Sequence, residues 1–328
     1  MPYEEIISVE NLLEAWEEFV KGKRRRRDVL EFESNLMENL FELHRKLADL
    51  SYQHGPYLAF TISDPKTRRI HKATVRDRVL HRAVYRKLYP IFDPTFISDS
   101  FSCRKDKGTH KALDRFRAIA WKVSHNHRRT AWVLKCDIRK FFASVGHDRL
   151  LHVLRQQILD RRVMNLLENI VHSFHVESGK GLPLGNLTSQ LFANLYMNEF
   201  DQFVKHKLRM KHYIRYADDF VFLSGNHQEL VDLFPIVERF LSTQLHLALH
   251  PDKVELRTVA SGVDILGWIH FPDHRVLRTA TKRRMLRSFS TNPSREMRVS
   301  YQGLLSHGNT TGLQKKLTTF NTEQTFDL

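Results

Sequence analysis

The 328-residue chain has only two cysteines, Cys103 and Cys136, too few for a disulfide framework or a cysteine-based zinc site, and their separation gives no redox motif. Both are expected to be reduced structural thiols. None of its 19 histidines stands in a metal-ligand spacing such as His-Glu-x-x-His, so none is assigned to metal. With 13 glycines and 10 prolines the chain is neither collagenous nor low-complexity, and 41% hydrophobic residues exclude compositional disorder. No stretch approaches the ~20 apolar residues of a membrane-spanning helix. The start, Met1-Pro2-Tyr3-Glu4-Glu5, lacks a basic region followed by an apolar run. A cytoplasmic protein without a membrane partner is expected. Acid is also in deficit: 52 Lys and Arg face 37 Asp and Glu, a net charge of +15. Such an excess points to a polyanionic partner, nucleic acid ahead of an anionic membrane surface. The length fits two domains, or one large fold with an appendage.

Along the chain, residues 28–50 open with Asp28 and Glu31 in capping-box spacing and place Leu36, Leu40, Leu43, Leu47 and Leu50 on one helical face. Ahead of them, Lys21 to Arg27 holds six basic residues in seven positions, either a solvated face or a phosphate contact. Extended segments at 57–62 and 68–72 flank Asp64-Pro65 and predict a hairpin. Helices are expected at 75–88, about 147–161 and 226–245, and strands at 131–136, 253–257 and 263–271. A glycine-rich loop, 179–190, leads into a helix carrying Leu191, Leu195 and Phe203. Residues 275–298 hold eight Lys or Arg against one acid. Strands and helices mix without βαβ alternation, and no internal repeat or long linker is visible, so the fold class is α+β with its parts packed together.

The chemistry resides in carboxylates. Asp137 ends an apolar strand, and Asp218 with Asp219 sits in a tight turn flanked by apolar residues on both sides, 81 residues further on. An Asp-Asp pair is most often a solvated turn, but Phe220, Val221 and Phe222 directly after it argue against a surface loop. An antiparallel sheet can bring a strand end beside such a hairpin. Crowded acids repel one another unless cations intervene. Two Mg²⁺ ions roughly 3.5–4 Å apart would neutralise them and clamp the attacking and leaving oxygens of a phosphoryl transfer. Magnesium suits hard oxygen ligands and keeps coordination sites for phosphate and water.

Tyr216-Ala217-Asp218-Asp219, within the hairpin 213–223, resembles the catalytic turn of reverse transcriptases. Lys135-Cys136-Asp137-Ile138 resembles their first catalytic strand. Further blocks follow in the same order: 68–78, Leu182 to Gln190, His250-Pro251-Asp252-Lys253 and Ile265-Leu266-Gly267-Trp268. The resemblance covers about residues 5–318. Within that family, Gly185-Asn186-Leu187-Thr188-Ser189-Gln190 and 300–309 look like those of diversity-generating retroelements, bacterial and phage systems that copy a template RNA into mutated cDNA. Most other reverse transcriptases have Gln before this glycine and end the loop in Ser-Pro. Here Leu184 precedes Gly185 and Gln190 follows Ser189.

The resemblance implies roles for single residues. Asp137 and Asp218 would bridge two Mg²⁺ ions, with Asp219 assisting and the Ile138 carbonyl as a further ligand. Phe142 would be a steric gate against a ribose 2′-hydroxyl, or else a packed core ring. Arg68 would lie across the incoming nucleotide, with Lys66 and Arg69 reaching its triphosphate or remaining surface charges. Leu184, Gly185 and Gln190 would border the nucleotide, with Leu184 unable to make the hydrogen bond that Gln makes in relatives. Lys253 would protonate or help release pyrophosphate, or be solvated. Gly267 and Trp268 would form the primer grip, with Trp268 equally readable as core. The basic blocks 21–27, 66–87 and 275–298 would line a cleft for an RNA–DNA hybrid.

The expected architecture is a right-hand polymerase: an N-terminal helical extension at 1–55, fingers and an antiparallel palm at 56–272, and a short helical thumb and tail at 273–328. The expected activity is error-prone RNA-directed DNA synthesis for mutagenic retrohoming, with template RNA, cDNA and dNTPs as ligands and a small basic accessory protein as partner. Another bacterial reverse transcriptase, in antiphage defence or related to group II introns, is the alternative, and a noncatalytic RNA-binding scaffold a remoter one. Neither a ribonuclease H nor an HNH domain is expected.

Overall fold

The computed structural model describes residues 2–63, 67–290 and 294–315. Four helices open the chain: α1 (Tyr3–Ile7), α2 (Val9–Val20), α3 (Arg27–Glu33) and α4 (Leu36–Ala48). The continuous helix expected over 28–50 is broken at residues 34–35. Asp28 does not cap it; its carboxylate instead accepts from Lys72 and Arg78. Of the leucine face, Leu40, Leu43 and Leu47 are buried while Leu50, at a positive φ of 60°, turns outward.

The expected hairpin forms from β1 (Leu58–Ile62) and β2 (Arg68–Lys72), with Phe60 opposite Ile70. It leads to α5 (Val75–Phe92), whose first turn is capped by Thr74 accepting from the Asp77 amide. Helix α5 carries ten buried residues and is the post on which the N-terminal helices stand. Arg78, Arg82, Arg86 and Lys87 pair with Asp28, Glu18, Glu14 and Glu5 from those helices.

Next come α6 (Thr109–Val123), β3 (Trp132–Asp137), the short α7 (Phe141–Ser144), α8 (His147–Arg155), α9 (Arg161–His172) and α10 (Leu187–Gln202). The helix expected to run to Arg161 ends at Arg155. Asp160 then accepts from the Arg162 amide and starts α9. The hairpin β4 (Tyr213–Tyr216) and β5 (Asp219–Ser224) is followed by α11 (His227–Gln244) and β6 (Glu255–Thr258). Together with β3 they form an antiparallel sheet in the order β4-β5-β3-β6.

Both faces of this sheet are covered, and the period-two alternation of its strands says by what. Leu134, Cys136, Tyr213, Phe220 and Phe222 face the main core with α10 and α11. Val133, Ile214, Val221 and Leu223 face α6 through Phe116, Ile119 and Val123. The main core is continuous with the N-terminal helices, from Tyr3 to Leu47.

Residues 263–271, expected as one strand, are a hairpin of β7 (Val263–Ile265) and β8 (Trp268–His270), joined in a second sheet by β9 (Arg275–Leu277). Leu266 (φ 49°) and Gly267 (φ 88°) both take left-handed conformations, as a two-residue hairpin turn demands. Helices α12 (Thr279–Ser290) and α13 (Arg295–Leu305) close on this sheet around Trp268, Leu277, Met285, Phe289 and Leu305, with Leu113 of α6 beneath. Among the described residues no helix is long and apolar enough to cross a membrane.

Candidate active site

On β3, Val133, Lys135 and Asp137 share a face; on β5, Leu223, Val221 and Asp219 do. Antiparallel pairing sets Asp137 directly opposite Asp219. Two carboxylates therefore emerge side by side where the sheet runs out of apolar residues. The turn between β4 and β5 consists of Ala217, at a φ of 56°, and Asp218. The Ile138 amide donates to the Asp218 carbonyl at 3.2 Å, which ties the turn to the end of β3. Residues 248–250 hold the other side, the His250 amide donating to the Asp137 carbonyl at 2.8 Å.

The three acids crowd one another. Burial, followed by the charges of Asp218 and Asp137 and a hydrogen bond shared with Asp137, lifts Asp219 to about 7. Burial and the charge of Asp137 also raise Asp218, against the pull of Lys253 and Arg68. Lys253 Nζ donates to Asp137 Oδ1 at 2.8 Å. As placed, with Asp137 turned to Lys253 and Asp219, no three His, Cys, Asp or Glu side chains among the described residues form a ready metal cage. The donor set nevertheless fits a hard divalent cation: it is all oxygen, and its charge repulsion is of the kind that such an ion relieves.

A cavity of about 640 Å³ opens over Asp137 and Asp219, with Arg68, Lys253, Gly267 and Trp268 also on its wall, while Asp218 sits beside it in the turn and is not among its lining residues. Strand β2, the central sheet and the β7–β8 hairpin thus meet at one place. Trp268 is 1% exposed and belongs to the core around Leu277 and Met285 as well as to the cavity wall. Arg69 is exposed on β2 opposite Thr61. Lys66 and the Asp64-Pro65 turn lie outside the described residues. Phe142, half-buried against Phe141 on α7, is not on the cavity wall; its carbonyl accepts from the Leu182 amide at 2.7 Å.

The glycine loop meets β2 instead. The His71 amide donates to the Leu184 carbonyl at 2.9 Å, and Asn186 Nδ2 donates to the His71 carbonyl at 2.9 Å. Gly185 is required here: its φ is 106°, and a Cβ would come within 2.8 Å of Ile70 Cγ2. Gly185 and Gln190 border a second cavity, of about 390 Å³, with Phe60, Lys23, Arg26 and Arg82. They are therefore not brought onto the wall of the carboxylate cavity.

The basic blocks divide as well. Arg278 and Arg284 border the carboxylate cavity. Lys21 to Arg26 line a separate concavity of about 560 Å³. The arginines of α5 mostly dock the N-terminal helices, because acids on those helices reach them first. Charge counting along the chain does not reveal which cations are already paired. It also passes over Arg215 and Asp201, a fully buried ion pair beneath the β4–β5 turn. The available signal was a charge inside the apolar strand Tyr213–Tyr216.

A family description, "Reverse transcriptase (RNA-dependent DNA polymerase)", matches residues 63–270. Protein YkfC of Escherichia coli is 26% identical over 275 residues, covering 72% of this chain and 70% of its own length. The group II intron-encoded protein LtrA of Lactococcus lactis is 24% identical over 53% of this chain, which spans only 29% of it. Among solved structures, apo telomerase from Candida tropicalis superposes with a TM-score of 0.50 at 9% identity, over 71% of this chain and 59% of that one. Telomerase from Candida albicans with a fragment of telomeric RNA gives 0.50 at 10% identity, over 71% and 48%. The fold is that of the right-hand polymerases.

Proposed function

We propose, from the premise that this chain belongs to the reverse transcriptase family, that it copies an RNA template into DNA at the Asp137–Asp218–Asp219 cluster. The observation that carries this reading is the pairing of Asp137 with Asp219 under a cavity that also holds Arg68 and Lys253. Asp137 and Asp218, with the Ile138 carbonyl, would hold two Mg²⁺ ions and Asp219 would stand beside them. When bound, the ions supply charge neutralisation at the transferred phosphoryl group. Arg68 offers a planar fork to the nucleotide's base and phosphates. Lys253 would give a proton to the departing pyrophosphate once its bond to Asp137 is released. In this reading residues 1–55 form the N-terminal extension, 56–272 fingers and palm, and 273–328 thumb and tail. Primer extension with Mg²⁺ on RNA and DNA templates tests it, and a folded chain that extends neither sinks it.

The finer reading is error-prone synthesis in a diversity-generating retroelement of bacterial or phage origin, with a structured template RNA and a small basic accessory protein as partners. Leu184 ahead of Gly185, and Gln190 at the loop's end, support it. An aliphatic side chain cannot hydrogen-bond the nucleotide sugar, so discrimination at insertion relaxes about tenfold for each ~1.4 kcal/mol lost. Leu184→Gln is expected to lower misincorporation opposite template adenines by about that tenfold, read by deep sequencing of cDNA. Equal error spectra in variant and parent would count against the retroelement role. The rival, a group II intron-type enzyme, is favoured by the likeness to LtrA. A template-repeat and variable-repeat pair beside the gene decides between them.

Phe142 is the proposed gate against ribonucleotides. Phe142→Ala is expected to raise ribonucleotide incorporation, relative to deoxyribonucleotide, by about 10²-fold in primer extension. An unchanged ratio would make Phe142 a packing residue only.

A further inference from the structure

Arg215 has no part in the chemistry above, yet it is completely buried in the strand that leads into the catalytic turn. Every N–H of its guanidinium is engaged. Nε donates to Asp201 Oδ1 at 2.8 Å and Nη2 to Asp201 Oδ2 at 2.7 Å. The second Nη2 hydrogen goes to Ser100 Oγ at 3.0 Å. Nη1 divides its two between Asn194 Oδ1 at 3.2 Å and the Ala217 carbonyl at 3.1 Å. Asp201 in turn accepts from the Tyr213 hydroxyl at 2.7 Å, and Asn194 Nδ2 donates to the Ser102 carbonyl at 2.8 Å.

A buried ion pair is a poor means of stabilising a fold, since desolvation cancels most of the attraction and apolar residues of the same shape often do as well. What an apolar pair cannot supply is a donor aimed at one chosen carbonyl. The Ala217 carbonyl belongs to the peptide plane that carries the Asp218 amide, and Ala217 is held in the left-handed region that a non-glycine residue avoids. The Ile138 amide fixes the following peptide plane through the Asp218 carbonyl. Between the two bonds, the direction of the Asp218 side chain is set.

We propose that Arg215 is a positioning residue: anchored by Asp201, Asn194 and Ser100, it holds the Ala217 carbonyl and thereby fixes the direction of Asp218 beside Asp137. The catalytic part of this inference rests on the polymerase reading, whereas the turn geometry does not. Lysine keeps the charge for Asp201 but is a single point donor that cannot also span Asn194, Ser100 and Ala217. Arg215→Met with Asp201→Asn leaves no unpaired charge and retains an acceptor for Tyr213.

The experiment compares Arg215→Lys and the Arg215→Met/Asp201→Asn double variant with the parent. It reads hydrogen exchange over residues 213–219, template–primer affinity and single-turnover extension. Exchange at the turn amides is expected to speed up by about tenfold, while protection across β3 and β5 is kept. The kcat is expected to fall by about 10²-fold, as for a misplacement of ~1 Å. The nucleotide KM and the hybrid affinity should stay within about threefold. Folded variants with parental exchange at 213–219, or with parental kcat, overturn the proposal. So does loss of cooperative unfolding in both variants, which would make Arg215 a folding determinant. A parent inactive on every template would sink the polymerase reading, and the exchange measurement would still judge this one.

Discussion

Exchanging Asp137 or Asp218 for asparagine is expected to lower primer-extension kcat by at least about 10³-fold while leaving template–primer affinity within about threefold. The change is nearly isosteric, so it tests charge rather than shape. Phosphoryl transfer asks the protein for positioning and for neutralisation of developing charge, and a neutral amide holds a divalent cation poorly. The stability of the same variants should move the other way. Asp137 lies opposite Asp219 in a crowded trio, so removing one charge relieves repulsion. In buffer free of divalent cations both variants should therefore unfold no earlier than the parent. An inactive variant that also melts earlier would point to a structural role, and a variant retaining a tenth of parental kcat would remove these acids from the chemistry.

Asp201→Ala is expected to destabilise the fold by about 3–5 kcal/mol, because it strands the Arg215 guanidinium, which has no exposed surface, without its counter-charge. The Tyr213 hydroxyl loses its acceptor in the same step. Urea denaturation followed by far-ultraviolet circular dichroism measures the effect. A loss below about 1 kcal/mol, the range of an exposed pair, would mean that water reaches the site.

The parts of this fold legible in the sequence are those where one periodicity holds over a whole element. Strand β3 and the β4–β5 hairpin alternate cleanly, so their faces and the convergence of Asp137 with the turn could be read from spacing and motif together. Helix α9 was missed although Val163, Met164, Leu167, Ile170 and Val171 mark one buried face, because the preceding pattern was carried too far. The break at residues 34–35 and the turn at Leu266-Gly267 depend on backbone angles that composition does not announce. The basic blocks were read as one surface, yet acids more than fifty residues away in sequence neutralise much of α5. Arg215 was invisible for the same reason: Ser100, Asn194 and Asp201 lie on elements that only the folded chain brings to it.

His71 joins two elements to which nucleotide-binding roles are proposed above. Through its amide and its carbonyl it laces the strand bearing Arg68 to the loop bearing Leu184. If the hairpin swings inward over an arriving substrate, that loop must travel with it, so gripping and choosing become a single movement. On the roles proposed for Arg68 and Leu184, accuracy and speed would then share one lever, and loosening the lace at Asn186 would blur both at once.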